Sequence, residues 1–418
     1  MKTAAKDFKM TELGPIPKDW DVKRLGEIGQ FKNGISKGAE SFGHGVPFVN
    51  LLDVFGKDKI DDVRMLGLVE VTAAEQSQCS LKEGDVLFVR SSVKPSGVGL
   101  ATVVSCDLAQ AVFSGFLLRY RSEGLGTEYK RYAFAEQGFR SRVIASSTVS
   151  ANTNINQGAL KNIEVVVPPL PEQRKIAAAL SDVDEMIAAL EKLIEKKRKI
   201  KTGAMQRLLT GNTRLPGFKG VWVEKRLGDF ATIARGGSPR PIEAFLTSDS
   251  SGVNWIKIGD VGVGAKYIER TEEKIIQEGV NHSRMVGPGD FLLSNSMSFG
   301  RPYIMKISGC IHDGWLVIQS YQQSFDTEFL YYVLGSKLVL EQYLTAAAGS
   351  SVLNLNKEVV ARVIVKCPSS LAEQKAIAKV LGDMDAEIAA LEAELAKTRQ
   401  LKQGMMQELL TGKVRLKG

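Results

Sequence analysis

The feature that most constrains this chain is an internal duplication. Residues 172–209 (EQRKIAAALSDVDEMIAALEKLIEKKRKIKTGAMQRLL) align without a gap onto residues 373–410 (EQKAIAKVLGDMDAEIAALEAELAKTRQLKQGMMQELL), with 20 identities in 38 positions. A repeat bounds the architecture before any single residue is read, because both copies must form the same unit. Each copy continues into Thr-Gly and then Arg-Leu: Thr210-Gly211 with Arg214-Leu215, and Thr411-Gly412 with Arg415-Leu416. The regions in front repeat more faintly. Trp20 and Lys23-Arg24-Leu25-Gly26 echo Trp222 and Lys225-Arg226-Leu227-Gly228, and Gly34 and Ser36 echo Gly236 and Ser238. Asp53-Val54, Gly84-Asp85, Thr127-Glu128-Tyr129 and Asn154-Ile155-Asn156 have counterparts in Asp260-Val261, Gly289-Asp290, Thr327-Glu328-Phe329 and Asn354-Leu355-Asn356. The order of parts is module, helix, module, helix.

Inside the modules, short β-rich runs such as Val86–Val89, Phe116–Leu118 and Ile163–Val167 alternate with Gly, Ser, Asn and Pro clusters. Helical stretches are fewer, near 128–142 and 327–344, so each module reads as α+β. The duplicated segments are different. Ile176, Leu180, Val183, Ile187, Leu190 and Ile194 follow a 4-3-4-3-4 spacing, and Ile377, Leu381, Met384, Ile388, Leu391 and Leu395 repeat it. Such a stripe is the core of a helix pair. It then meets polar residues (Lys197 and Lys201; Thr398 and Lys402) and resumes displaced at Ile200 and Leu401, a matched stutter that predicts a local packing change. Glu172 and Glu373 suit the positive ends of the helix dipoles, and Gly211 and Gly412 can close the C-termini.

Charge selects the relative direction of the two helices. Side by side and parallel, Asp182 and Asp184 face Asp383 and Asp385, and Lys196 and Arg198 face Lys397 and Arg399. Antiparallel about their middles, Lys196 to Lys199 fall beside Gly382 to Asp385 and Glu387, while Asp182, Asp184 and Glu185 fall beside Lys397 and Arg399. Opposite charges then meet throughout, which predicts an antiparallel pair with pseudo-two-fold symmetry and one module at each end. At roughly 1.5 Å per residue such a helix spans roughly 57 Å. Duplex DNA rises about 34 Å per turn, so two readers on such a rod suit a bipartite target, and two equivalent flanks suit two copies of one partner.

The chain's 418 residues, 44% hydrophobic and 24% charged, suffice for several folded cores. A formal charge of +8 fits an anionic partner. Four scattered cysteines suggest neither disulfides nor a zinc ribbon. No stretch approaches the roughly 18 apolar residues of a membrane span, and a soluble, cytoplasmic protein without membrane contact is expected. Catalytic signatures are missing. The Pro-Pro of Val167-Pro168-Pro169-Leu170 is a strand-to-helix turn rather than a methyltransferase element, no phosphate loop occurs, and Cys310-Ile311-His312 lacks further metal ligands. Neither a catalytic residue, a metal nor a cofactor is expected.

The segments Pro169-Leu170-Pro171-Glu172-Gln173 through Leu208-Leu209-Thr210-Gly211, and Leu371-Ala372-Glu373-Gln374 through Leu409-Leu410-Thr411-Gly412, resemble the conserved regions of type I restriction-modification specificity subunits. Gly236-Gly237-Ser238-Pro239-Arg240, Trp255 to Asp260 and Gly289 to Ser294 resemble that family's target-recognition pattern. The resemblance implies two target-recognition domains, 1–167 and 216–366, and two helical spacers, 168–215 and 367–418. It implies one half of a gapped double-stranded DNA site per domain, two modification subunits docked on the helices, and restriction subunits beyond them. Adenine methylation and ATP-driven cleavage would belong to those partners. Cys367-Pro368-Ser369-Ser370-Leu371 departs from the Pro-Pro-Leu-Pro entry of the first copy, so a differently packed junction is expected there. A coiled-coil scaffold that binds no DNA is the alternative, and a self-contained methyltransferase or nuclease a third.

Base edges and phosphates are read by Arg, Lys, Asn, Gln, Ser and Thr on loops. In the first module the candidates are Lys32, Asn33, Ser36 and Lys37; Arg90, Ser91, Ser92 and Lys94; and, in the Ser/Thr/Asn-rich loop 146–156, position 149 (Val149) and Asn152. In the second they are Arg235, Ser238 and Arg240; Ser294, Asn295, Ser298 and Arg301; and Ser350 and Ser351.

Overall fold

Each module is closed by a two-stranded ribbon. In the computed structural model, which describes residues 7–108, 110–262, 264–295, 299–347 and 355–416, Asp21–Arg24 pairs antiparallel with Glu164–Val167, and Trp222–Arg226 with Ile364–Pro368. The chain therefore leaves a module beside its entry. Each exit strand runs into a long helix, Leu170–Leu208 or Leu371–Leu409.

Between these ribbons the two modules share one topology. The first holds a five-stranded sheet in the order Gly29–Asn33, Leu117–Ser122, Val86–Val89, Ala101–Val104, Lys59–Ile60. The second holds Thr232–Arg235, Trp315–Gln319, Phe291–Ser294, Pro302–Met305, Tyr267–Ile268 in the same order. The central strands Val86–Val89 and Phe291–Ser294 are buried along their whole length, which is why Val86–Val89 and Phe291–Leu293 read as apolar runs rather than alternating ones. The Gly-Asp echo is the turn that feeds them. Gly84 and Gly289 take φ values of +82° and +92°, favoured by glycine, while the Asp85 and Asp290 carboxylates accept from the Lys82 and Gly287 amides. A further sheet has three strands in the first module and five in the second.

The chain divides into two compact units, Met1–Glu191 with Ala393–Gly418, and Lys192–Glu392. Each takes one module, the N-terminal half of one long helix and the C-terminal half of the other. In the first unit, Ile176, Ala177 and Leu180 from one helix and Leu409 and Leu410 from the other complete a core with Trp20, Tyr129 and Phe134. In the second, Ile377, Ala378, Leu381, Leu208 and Leu209 do the same with Leu227, Phe329 and Tyr332.

Both helix pairs are antiparallel. Lys402 meets Asp184 and Arg399 meets Glu191 at 2.5 Å in the first unit; Lys201 meets Asp385, and Lys197 and Arg198 meet Glu387 and Glu392 at 2.5 Å, in the second. The charge argument gives the right direction and the Lys197–Glu387 pairing, but it misses the offset in the first unit. Asp184 pairs with Lys402 rather than Arg399, about one helical turn further along. The reason lies at the helix ends, where Glu172 and Glu373 are far more than dipole partners. Glu172 is buried and accepts from Arg415 at 2.6 Å and from Trp20 Nε1 at 2.8 Å. Glu373 likewise accepts from Arg214 at 2.6 Å and from Trp222 Nε1 at 3.4 Å. Each first turn must overhang its partner so that the returning Arg can reach it.

The neighbouring glutamines act as latches. Gln173 accepts from the Gly126 amide and donates to the Pro168 carbonyl at 2.8 Å each; Gln374 accepts from the Asp326 amide and donates to the Pro368 carbonyl at 2.8 and 2.9 Å. Despite its different sequence, the second junction is thus latched as the first is. Gly412 takes φ +73°, and a Cβ there would lie 2.5 Å from Pro17 and 3.0 Å from the Trp20 ring, so this Thr-Gly stop requires glycine twice over.

Of the expected helix-pair core, Ile176, Leu180, Leu190, Ile194, Ile377, Leu381 and Ile388 are buried, and Val183, Ile187, Met384, Leu391 and Leu395 half-buried. The stripe does not resume after the stutter, since Ile200 and Leu401 remain 48% and 57% exposed. Polar groups hold the pair together there instead. Tyr132 donates to Asp184 at 2.9 Å beside Lys402, and Tyr332 donates to Asp385 at 2.8 Å beside Lys201.

Candidate nucleic-acid interface

In the first module the central strand Val86–Val89 leads into Arg90 and then Ser91–Ser92, which pairs with Thr153–Asn154; that strand pairs in turn with Thr148–Val149. The Ile155 amide donates to the Arg90 carbonyl at 2.9 Å. Two of the three candidate loops are therefore one continuous ribbon. The third joins through residues 113–116: the Ile35 amide donates to Phe113 O at 2.9 Å, and the Gly115 amide to Ile35 O at 2.7 Å. Arg90 closes the ring by donating from its amide to Phe116 O at 2.8 Å and from Nη1 to Gly115 O at 3.4 Å. A Cβ on Gly34 would lie 2.1 Å from the Ser114 carbonyl oxygen. The glycine echo noted in the sequence is this close backbone approach.

Among its described residues, the second module repeats the joining bonds. The Leu355 amide donates to Asn295 O at 2.9 Å, Gly237 N to Ile311 O at 3.1 Å, and Asn295 N to Gly314 O at 3.2 Å. A Cβ on Gly236 would lie 2.2 Å from His312 O. Gly115 and Phe116 thus occupy the places of Asp313 and Gly314, and the chemistry diverges there. Asp313 gathers its surroundings: Ser238 Oγ donates to it at 3.1 Å, Arg240 Nη2 reaches it at 3.3 Å, and Arg235 Nε donates to its carbonyl at 2.8 Å. Burial pushes the Asp313 carboxyl up, but the Ser238 hydroxyl and the charges of Arg240 and Arg235 outweigh it and hold the pKa below the ordinary value.

Not every sequence candidate lies on this surface. Asn33, Ser36, Arg90, Lys94, Asn152, Arg235 and Arg240 are exposed, and Ser91, Ser92 and Ser238 half-buried. Lys32 sits on an edge strand and donates to Gln78. Lys37 pairs with Glu75 at 2.8 Å, and together with the Thr72 amide it lowers the Glu75 carboxyl to about 2, so its charge is already partnered. Val149 is exposed, but its side chain carries no donor or acceptor with which to hydrogen-bond a base. Ser294 and Asn295 are buried beside Trp315 and Gly314, where strand pairing withdraws them from solvent. Arg301 packs over the Tyr303 ring. Ser298, Ser350 and Ser351 lie outside the described residues.

Sequence reasoning missed Asp313, weighing its neighbours Cys310 and His312 as a metal-ligand pair and the cysteine as a buried small hydrophobe. Cys310 is buried and its thiol contacts Met285, while the His312 Nδ1 accepts from the Gly314 amide. Also missed is a depression of about 490 Å³ beside Ser92 and Asn152 in the first module; isolated apolar residues in polar loops were its only sequence signal.

The profile described as the type I restriction modification DNA specificity domain matches residues 17–202 and again 220–401. A putative type I restriction enzyme MjaX specificity subunit of Methanocaldococcus jannaschii is 28% identical, over 98% of this chain and 97% of its own length. The MjaVIII specificity subunit of the same organism is 24% identical over 98% and 96%. A chain solved in work on complex assembly and conformational transition of the type I R-M system has a TM-score of 0.65 at 19% identity, covering 96% of this chain and 99% of that one. The HsdS subunit from Thermoanaerobacter tengcongensis gives 0.55 at 20% identity, over 96% and 98%. These structures share the fold, and with both repeats matched by the family profile, the chain belongs to the type I restriction modification DNA specificity family.

Proposed function

We propose that this chain reads a bipartite, gapped DNA sequence as the non-catalytic specificity subunit of a type I restriction-modification complex in the cytoplasm. Domains 1–167 and 216–366 each take one half-site. The helical spacers 168–215 and 367–418 set the gap and dock two modification subunits, with restriction subunits completing the assembly. The observation that carries the reading is the matched convergence of three loops on each module: the Ile155 to Arg90 and Leu355 to Asn295 bonds are the same bond twice, as two readers of different sequences on one scaffold require. Base-reading side chains belong on such loops, held by a rigid sheet.

The test is to exchange residues 216–366 for another module and map methylated adenines in cells carrying the complete system. One half of the recognised sequence should change. A change in both halves, or in neither, overturns modular reading. A scaffold that binds no DNA predicts salt-insensitive behaviour instead, whereas phosphate contacts make affinity fall steeply with ionic strength.

A further inference from the structure

We propose that the first module reads thymine C5-methyl groups in its half-site, through the apolar depression beside its candidate loops. This rests on the DNA-reading function above and deepens it. Leu51, Phe55, Leu100 and Phe116 line the depression, with Ser92 and Asn152 among its polar lining groups. Phe116 is 59% exposed, and nearby Leu52 and Val93 are each 83% exposed. Leu51 and Leu100 also pack against the module's core, but the exposed faces of Phe116, Leu52 and Val93 cost hydration free energy unless something covers them.

Position identifies what covers it. The Phe116 carbonyl accepts from the Arg90 amide, and its ring lines the depression together with Ser92, Lys94 and Asn152, residues of two of the three candidate loops. The depression is also preformed. The backbone at Gly97 passes so close that a Cβ there would lie 2.2 Å from Ser92 Oγ and 3.0 Å from the Phe55 ring. Serine and asparagine groups beside an apolar floor suit a base edge in the major groove, where the thymine methyl is the apolar feature and its neighbours are donors and acceptors. In the second module, glycine (Gly314) replaces this ring and Asp313 organises Arg240 and Ser238 in place of Gly115. One backbone thus carries an apolar reader in one module and a charged one in the other.

The experiment uses the full chain assembled with its modification subunits, on duplexes carrying the mapped site. The half-site read by the first module is the one unaffected by exchange of residues 216–366. Replacing its thymines by deoxyuridine removes only the methyl groups. Binding should weaken by about fourfold per contacted methyl, the worth of roughly one buried methylene. Phe116→Ala, at an exposed position that leaves the fold intact, should bind thymine and deoxyuridine duplexes alike. Equal affinity of the unaltered complex for both duplexes overturns the proposal. So does a Phe116→Ala variant with full methyl dependence, a variant that loses only subunit assembly, or a first half-site without thymine. A complex that does not prefer its mapped site over unrelated DNA instead overturns the specificity reading beneath it.

Discussion

Arg415 donates from Nε and Nη2 to the carboxylate of Glu172, 243 positions earlier in the chain, with both contacts at 2.6 Å. Arg214 repeats the geometry on Glu373. Because Glu172 is buried, this bond is a structural lock rather than a surface ion pair.

Removing the cation should therefore be expensive. Arg415→Gln leaves a buried carboxylate without its main partner and should cost about 3 kcal/mol, read as a lowered midpoint in chemical unfolding. An unchanged midpoint would mean that the pair is solvated in solution.

The same pair predicts an acid response. Burial raises the Glu172 pKa, but hydrogen bonds from Arg415 and Trp20 outweigh it, so the folded pKa lies below its ordinary value. The associated stability is complete above the unfolded value of about 4.3 and is lost as pH falls through the lower folded value. Melting curves between about pH 3 and 6 should show a steeper acid loss in the unaltered chain than in Arg415→Gln.

Tyr132→Phe and Tyr332→Phe each delete a hydrogen bond to an aspartate that keeps its lysine partner. Each should cost about 1–2 kcal/mol. Tyr132→Phe combined with Lys402→Met should depart from additivity, because both side chains act on Asp184. Strict additivity in a double-mutant cycle would show that the groups act independently.

Asp313→Ala frees Arg240 and Ser238 from their shared acceptor. Discrimination among bases should fall by about tenfold, the scale of one positioned base contact. The loss should be confined to the half-site that exchange of residues 216–366 alters. Competition binding with single-base variants measures it, and a loss in the other half contradicts the placement of Asp313.

Seven residues inserted into both long helices, at matched positions, add about 10 Å and should widen the gap by about three base pairs. Insertion into one helix alone displaces one Arg–Glu lock and should impair assembly. An unchanged gap in the methylated sites of the double insertion would refute the spacer role.

The sequence by itself determined the order of parts, the long helices and their antiparallel sense. Those features are written locally: a 4-3-4 spacing needs only neighbouring turns, and blocks of charge constrain direction over a whole helix. It also marked Gly34, Gly84 and Gly412 and their counterparts, because a backbone that admits no Cβ, or that takes a left-handed turn, leaves a residue-type signature. Tertiary structure decided the offset of the helices, the closing of three loops into one face, and the different chemistry of Phe116 and Asp313. The apolar stripe could not fix the offset, since sliding one helix by a turn leaves its spacing almost unchanged. The lock between Glu172 and Arg415 could, but it joins residues 243 positions apart, and no local pattern encodes a bond over that separation.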